Sequence, residues 1–156
     1  VKRIGLLGLA VLGGCLWQEI AHAQLTGNLT VQVENLRNQE GNLCLKVFSA
    51  SRGFPNDNDS AVERTCVAIA SISPENPDDP LRYTFENLTS GTYAVAIYHD
   101  RNSDEVLNRG AFGAPTEGYG FSNDAPADIG PARFEDAIFL VAGPETTVQI
   151  QMRYPN

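Results

Sequence analysis

Leu29, Val31 and Val33 alternate with Asn28, Thr30, Gln32 and Glu34, the two-residue period of a strand with one buried face. A polar turn at residues 38–42 follows, and Leu43, Leu45 and Val47 then alternate with Cys44 and Lys46. The same period predicts strands over residues 66–70, over 82–87 with Tyr83 and Phe85 in phase, and at Tyr93, Val95 and Ile97. Residues 137–141 and 147–154 complete the set, the last with Val148, Ile150, Met152 and Tyr154 on one face. Helical periodicity is missing apart from a turn near residues 133–136. Seven short strands punctuated by Gly, Pro and Asn predict an all-β fold: a single antiparallel seven-stranded β-sandwich of immunoglobulin-like or transthyretin-like kind.

Between His99 and Phe134 the alternation stops. Connections this long are uncommon in compact domains and are often functional. The stretch is rich in Gly, Asn, Asp and Pro, yet it holds Phe112, Tyr119, Phe121 and Ile129. A disordered linker has no need of these side chains. The expectation is a long ordered loop capping one end of the sandwich, its backbone satisfied by Asn and Asp side chains.

The first residues read differently. Lys2 and Arg3 precede an apolar run, and Ala21-His22-Ala23 offers a small-x-small cleavage site. Residues 1–23 therefore read as a signal peptide and residues 24–156 as the domain. The run is shorter than the roughly 20 apolar residues that span a bilayer. Leu12-Gly13-Gly14-Cys15 also resembles a lipobox, so lipidation at Cys15 is the alternative to cleavage after Ala23. Either route implies export, to the periplasm or beyond. Removing residues 1–23 leaves Cys44 and Cys66, an even pair that in an oxidising compartment reads as a disulfide. Both lie out of phase with the apolar face, which favours a bridge between neighbouring strands of one sheet over one through the core.

With 19 acidic and 11 basic residues the net charge is −8. This excludes an electrostatic nucleic-acid binder, and no apolar stretch after residue 23 is long enough to span a membrane. The partners left are a carbohydrate, a peptide or an envelope component.

Candidate chemistry gathers in the long loop. Asp100, Asn102, Asp104 and Asn108 place four side-chain oxygen ligands within nine residues, the donor type that calcium prefers. Glu105 stands where the tight turn of a calcium loop wants Gly, and a set of Asx turns without metal is the other reading. His99 shares phase with Tyr93, Val95 and Ile97. It is either a buried imidazole bonded to the following loop or a base or ligand at the mouth of the cap. Glu117, Tyr119, Phe121 and Asn123 join His99 as candidate ligand contacts. A hydrolase using His99 with Ser122 or Glu117 is the catalytic alternative, although Ser122 lacks the context of a nucleophile elbow. A structural subunit of a surface assembly is a third reading. The scarcity of catalytic groups makes a non-enzymatic binding or envelope-associated module, with calcium as its one candidate cofactor, the leading expectation.

The run from Gly91 through His99-Asp100, with Asn102 and Asp104, and the run from Gly113-Ala114-Pro115 to Gly120-Phe121-Ser122-Asn123 together resemble the DUF2141 family of exported bacterial proteins. Asn35-Leu36-Arg37, Gly53-Phe54-Pro55, Gly130-Pro131 and Phe134-Glu135-Asp136-Ala137 support the resemblance. Members often read HDxNxNGxLD across this loop; here Asp104 replaces the second Asn, Glu105 the Gly and Asn108 the final Asp. The resemblance implies a domain, not an activity.

Overall fold

A computed structural model describes residues 25–76 and 79–155. The expected signal peptide and the Cys15 alternative lie outside the described residues. The first alternation becomes β1 (Thr26–Glu34), with Leu29, Val31 and Val33 buried. The second and third become β2 (Asn42–Phe48) and β3 (Glu63–Ala68). Then follow β4 (Leu81–Thr89), β5 (Gly91–Asp100), β6 (Gly118–Phe121), β7 (Phe139–Val141) and β8 (Glu145–Gln151). One sheet has the order β4-β1-β8; the other runs β3-β2-β5-β6, with β7 also paired to β5. Both sheets feed one apolar cluster that includes Leu29, Val31, Leu45, Val95, Ile97 and Ile150. Among the described residues no helix is long and apolar enough to cross a membrane.

Four expectations need correction. The described residues form eight strands, not seven, because β6 lies inside the stretch expected to lack strands. The fold is not wholly antiparallel: β1 pairs parallel with β8, Val31 opposite Val148 and Val33 opposite Ile150. Alternation assigns faces but carries no information on strand direction. The strand expected over residues 66–70 ends at Ala68, and Ile69–Ile72 forms a helical turn, α1. Ser71 Oγ donates to the Ala68 carbonyl at 2.7 Å and Ser73 Oγ to the Ile69 carbonyl at 2.9 Å. Such local hydroxyl bonds offer the backbone an alternative to the sheet ladder, and Ile69 still reaches the core. Finally, the long loop does not cap an end. It supplies β6 to one edge of the larger sheet and covers that sheet's outer face.

The outer face explains the cover. On β5 the side chains opposite Val95 and Ile97 are Ala94 and Ala96, and both are buried. Small residues there let a second layer approach. Phe48, Phe121, Ala125, Ala132 and Ala137 complete a second apolar cluster with them. Phe54 sits among the rings, 5.3 Å from Phe48, 5.7 Å from Phe134 and 5.9 Å from Phe121 between centroids. It thereby ties the β2–β3 loop and the helical turn α2 (Phe134–Ala137) to one face.

Strand β6 reads Gly-Tyr-Gly-Phe for a packing reason. A Cβ on Gly120 would lie 2.7 Å from Ile150 Cγ2, and one on Gly118 would lie 2.3 Å from the Tyr154 ring. Both glycines face the interior at contact distance, so Tyr119 and Phe121 point outward. The strand's far edge is closed by Tyr119 and Arg153, whose amides and carbonyls exchange bonds of 2.9 and 2.8 Å.

Candidate functional site

Cys44 and Cys66 lie directly opposite on β2 and β3 and form a disulfide, with Cα atoms 4.0 Å apart. The bridge joins neighbouring strands of one sheet, on the face away from the shared core. Cys44 is nevertheless 1% exposed, with the carboxylate at the end of β5 against it: Asp100 Oδ2 is 3.9 Å from Cys44 Sγ.

That loop is built on two buried carboxylates. Asp100 Oδ1 accepts from the Asp104 amide at 3.2 Å and its Oδ2 from the Glu105 amide at 2.9 Å. Glu117 Oε1 accepts from the Arg101 amide at 3.1 Å and its Oε2 from the Asn108 amide at 2.9 Å. Glu117 therefore fastens both ends of the loop to the start of β6. Out in solvent, Asp104 Oδ2 accepts from Asn102 Nδ2 at 2.8 Å and Asn108 Nδ2 at 3.0 Å, and its Oδ1 accepts from the Val106 amide at 2.9 Å. These bonds, the one from Asn108 first, hold its carboxyl below the usual range. Tyr98 donates to the Glu105 carbonyl at 2.6 Å. Burial, followed by the nearby carboxylates of Asp100, Glu105, Asp104 and Glu117, pushes its hydroxyl up to about 12.

Of the four expected calcium ligands, Asn102, Asp104 and Asn108 meet, whereas Asp100 turns inward to backbone amides. Both asparagines present N–H donors to Asp104. Among the described residues no group of three or more His, Cys, Asp or Glu side chains is placed to hold a metal ion. Glu105 has φ +59°, the left-handed region that Gly enters freely. That is the position where the family pattern HDxNxNGxLD carries Gly.

His99 is fully buried, with both ring nitrogens engaged. Nε2 lies 2.7 Å from the Glu40 carbonyl oxygen and Nδ1 2.7 Å from the Tyr154 hydroxyl. A carbonyl only accepts, so Nε2 carries the proton and Nδ1 accepts from Tyr154. The Tyr154 oxygen in turn accepts from the Arg37 amide at 3.1 Å, and the Arg37 guanidinium lies 4.4 Å from the ring centre. Burial raises the Tyr154 hydroxyl. His99 thus fastens the C-terminal segment to the β1–β2 turn.

Ser122 is also fully buried. Its Oγ donates to the Ala137 carbonyl at 2.6 Å and accepts from the Val95 amide at 2.8 Å. Val95 lies between the part of β5 that pairs with β7 and the part that pairs with β6, so this hydroxyl fills a gap in the ladder. Asn123, at φ +57°, donates to the Ile138 carbonyl at 2.7 Å.

Tyr119 and Phe121 have a different surrounding. They line a cleft of about 500 Å³ across the outer face of the larger sheet. Its floor includes Ala96 and Tyr98, and its walls come from Pro55, Leu107 and Pro115. Phe112, fully exposed, stands at the lip with φ +61°. Arg109 spans the wall, with Nη1 donating to the Gly113 carbonyl at 2.8 Å and Nη2 to Asn56 Oδ1 at 3.1 Å. Lys46 also lines the cleft, donating to the Asn56 carbonyl at 3.1 Å. His99, Glu117 and Asn123 do not line the cleft; Lys46, Asn56 and Arg109 do, and sequence reasoning missed them. The available signal was slight: Lys46 is the only lysine after Lys2.

A family model described as an uncharacterized protein conserved in bacteria (DUF2141) matches residues 31–149. No curated protein and no solved structure matches the chain.

Proposed function

The chain belongs to the DUF2141 family, and from that premise we propose that it is an exported, non-enzymatic binding module whose ligand surface is the cleft beneath the 101–137 segment. Its two sheets form a β-sandwich of immunoglobulin-like or transthyretin-like kind. The cleft carries the proposal. Its volume of about 500 Å³ and its apolar, aromatic lining with a few fixed polar groups are what small-ligand sites share. The segments that wall it have no sheet of their own, yet Asp100, Glu117 and Arg109 hold them in place. The Cys44–Cys66 bridge suits an oxidising compartment.

The residues first considered for catalysis support the same reading. His99 and Ser122 have their polar atoms committed to backbone and Tyr154, and both are fully buried. The 100–108 loop acts as a self-braced scaffold, since the carboxylate oxygens of Asp100 and Asp104 already accept N–H donors. Carbohydrate, peptide and envelope components remain the ligand classes to test. Backbone NMR titration of the purified chain with a panel of each is expected to move the Arg109, Phe112 and Tyr119 amides. Shifts confined to other surfaces would overturn the reading. So would turnover of a chromogenic ester or glycoside that is lost on Ser122→Ala or His99→Asn. Mass spectrometry of the exported protein is expected to find Gln24 at its N-terminus.

A further inference from the structure

Lys46 on β2 stands directly opposite Arg64 on β3, on the sheet's outer face. Like charges in directly opposed cross-strand positions destabilise a sheet. A chain with 19 acidic and 11 basic residues has carboxylates to spare for such a pair. Among the described residues, however, neither cation has a carboxylate within 4.0 Å; the ion pair that forms is Arg133–Asp136, at 3.2 Å. Lys46 is half-buried, with Nζ 5.5 Å from the Tyr98 ring centre. Burial first, then Arg64, lowers its pKa, while Asp57 pulls the other way.

Two cavities meet at this lysine. One is the cleft of about 500 Å³; the other, about 290 Å³, contains Arg64, Thr65 and the disulfide, and Lys46 and Tyr98 line both. The large apolar side chains of Phe112 and Ile129 are fully exposed. Phe112 lines the cleft, as do Asp128 and Gly130 on either side of Ile129. The two adjoining cavities thus put exposed apolar side chains beside the larger one and two cations without an ion pair in the smaller one.

We propose that the two adjoining cavities together bind an amphiphilic monocarboxylate, with its apolar body in the larger one beside the Phe112 and Ile129 segments and its carboxylate between Lys46 and Arg64. The inference rests on the cleft being the ligand surface. A carboxylate between the two cations replaces their repulsion with two attractions and receives charge-assisted hydrogen bonds from groups that have donors to spare. The exposed apolar side chains gain cover. Glu105 in the smaller cavity and Asp128 in the cleft work against a polyanion, whose further charges would meet them. One negative charge on an apolar body fits; an acidic polysaccharide strand does not.

Calorimetric titration of the purified chain with octanoate, octan-1-ol and acetate separates the terms. Octanoate is expected to bind about tenfold tighter than octanol or better, the gain typical of hydrogen bonds to a charged group, and acetate is expected not to bind at the same concentration. Lys46→Met, with its fold checked by circular dichroism and melting, should narrow the octanoate–octanol difference, and an undiminished difference would overturn the anion assignment. Arg64→Gln should narrow that difference. Equal affinity for octanoate and octanol in the unaltered chain would overturn the anion assignment while leaving the cleft as ligand surface. Tighter binding of polygalacturonate than of octanoate would overturn it in favour of an acidic glycan. Absence of binding by all the probes, with the Arg109, Phe112 and Tyr119 amides unmoved by the wider ligand panels, would remove the cleft reading as well.

Discussion

Strand β5 has two faces, and they are held by different physics. Toward the smaller sheet, Tyr93, Val95 and Ile97 meet aliphatic side chains from β1, β2 and β8 in a continuous apolar cluster. On the other side Ala94 and Ala96 present little side chain, and the segment above them has few strands to pair with. It is held instead by Asp100 and Glu117, each accepting two backbone amides. The inner face draws on area, spread over many residues and tolerant of polar change elsewhere. The outer cover concentrates its stability in a few carboxylates, so it can loosen while the sheets stay intact.

The largest expected loss comes from the inner face. Ile97→Ala should lower global stability by about 2–5 kcal/mol, as truncation of a buried aliphatic side chain does, seen as an earlier midpoint in urea. Glu117→Ala should cost about 2–3 kcal/mol, since two backbone amides lose a charged acceptor. Its signature is local: amide hydrogen exchange should accelerate over residues 101–117 before it does in β1 or β2. Equal acceleration in both would show that the two faces unfold as one unit.

Raising the pH attacks the cover from another side. The Tyr98 hydroxyl titrates at about 12 in the fold and near 10 in an unfolded chain. A raised pKa favours the protonated folded state, so this contribution is complete below pH 10 and is lost as pH rises from 10 toward 12. Ultraviolet titration of tyrosinate alongside loop amide shifts should show both changes in that window.

Smaller effects sharpen the comparison. Glu105→Gly should raise stability by about 1 kcal/mol, because φ +59° strains a residue with a Cβ, measured as a higher melting midpoint. Melting in millimolar calcium and then in chelator should give the same midpoint, since Asp100 and Glu117 each hold two backbone amides in place of a cation. A rise with calcium would restore the metal to the 100–108 loop.

The inner face was legible because burial of one face writes itself into alternation: Leu29, Val31 and Val33, and Val95 and Ile97, fall where the period puts them. The cysteine pairing was legible for the same reason, since Cys44 and Cys66 share the opposite phase. What alternation cannot carry is direction, and the parallel β1–β8 pairing went unseen. Nor does it register a strand in which glycine replaces the apolar half, so β6 was missed although Gly-Tyr-Gly-Phe alternates. The candidate residues divided likewise. Tyr119 and Phe121 reach the cleft, while His99, Glu117 and Asn123 work as fasteners. Arg109 and Lys46 enter through contacts with Asn56 in a distant loop, which no local pattern reports.

The glycines of β6 decouple two kinds of change. Because Gly118 and Gly120 give the interior only backbone, the side chain at Tyr119 is answerable to the cleft and the outer apolar cluster, and hardly at all to the cluster between the sheets. A substitution there can alter what the cleft accepts while the packing of Ile150 and Tyr154 continues undisturbed. Under the proposed binding role, ligand preference can therefore change at this position without repacking between the sheets.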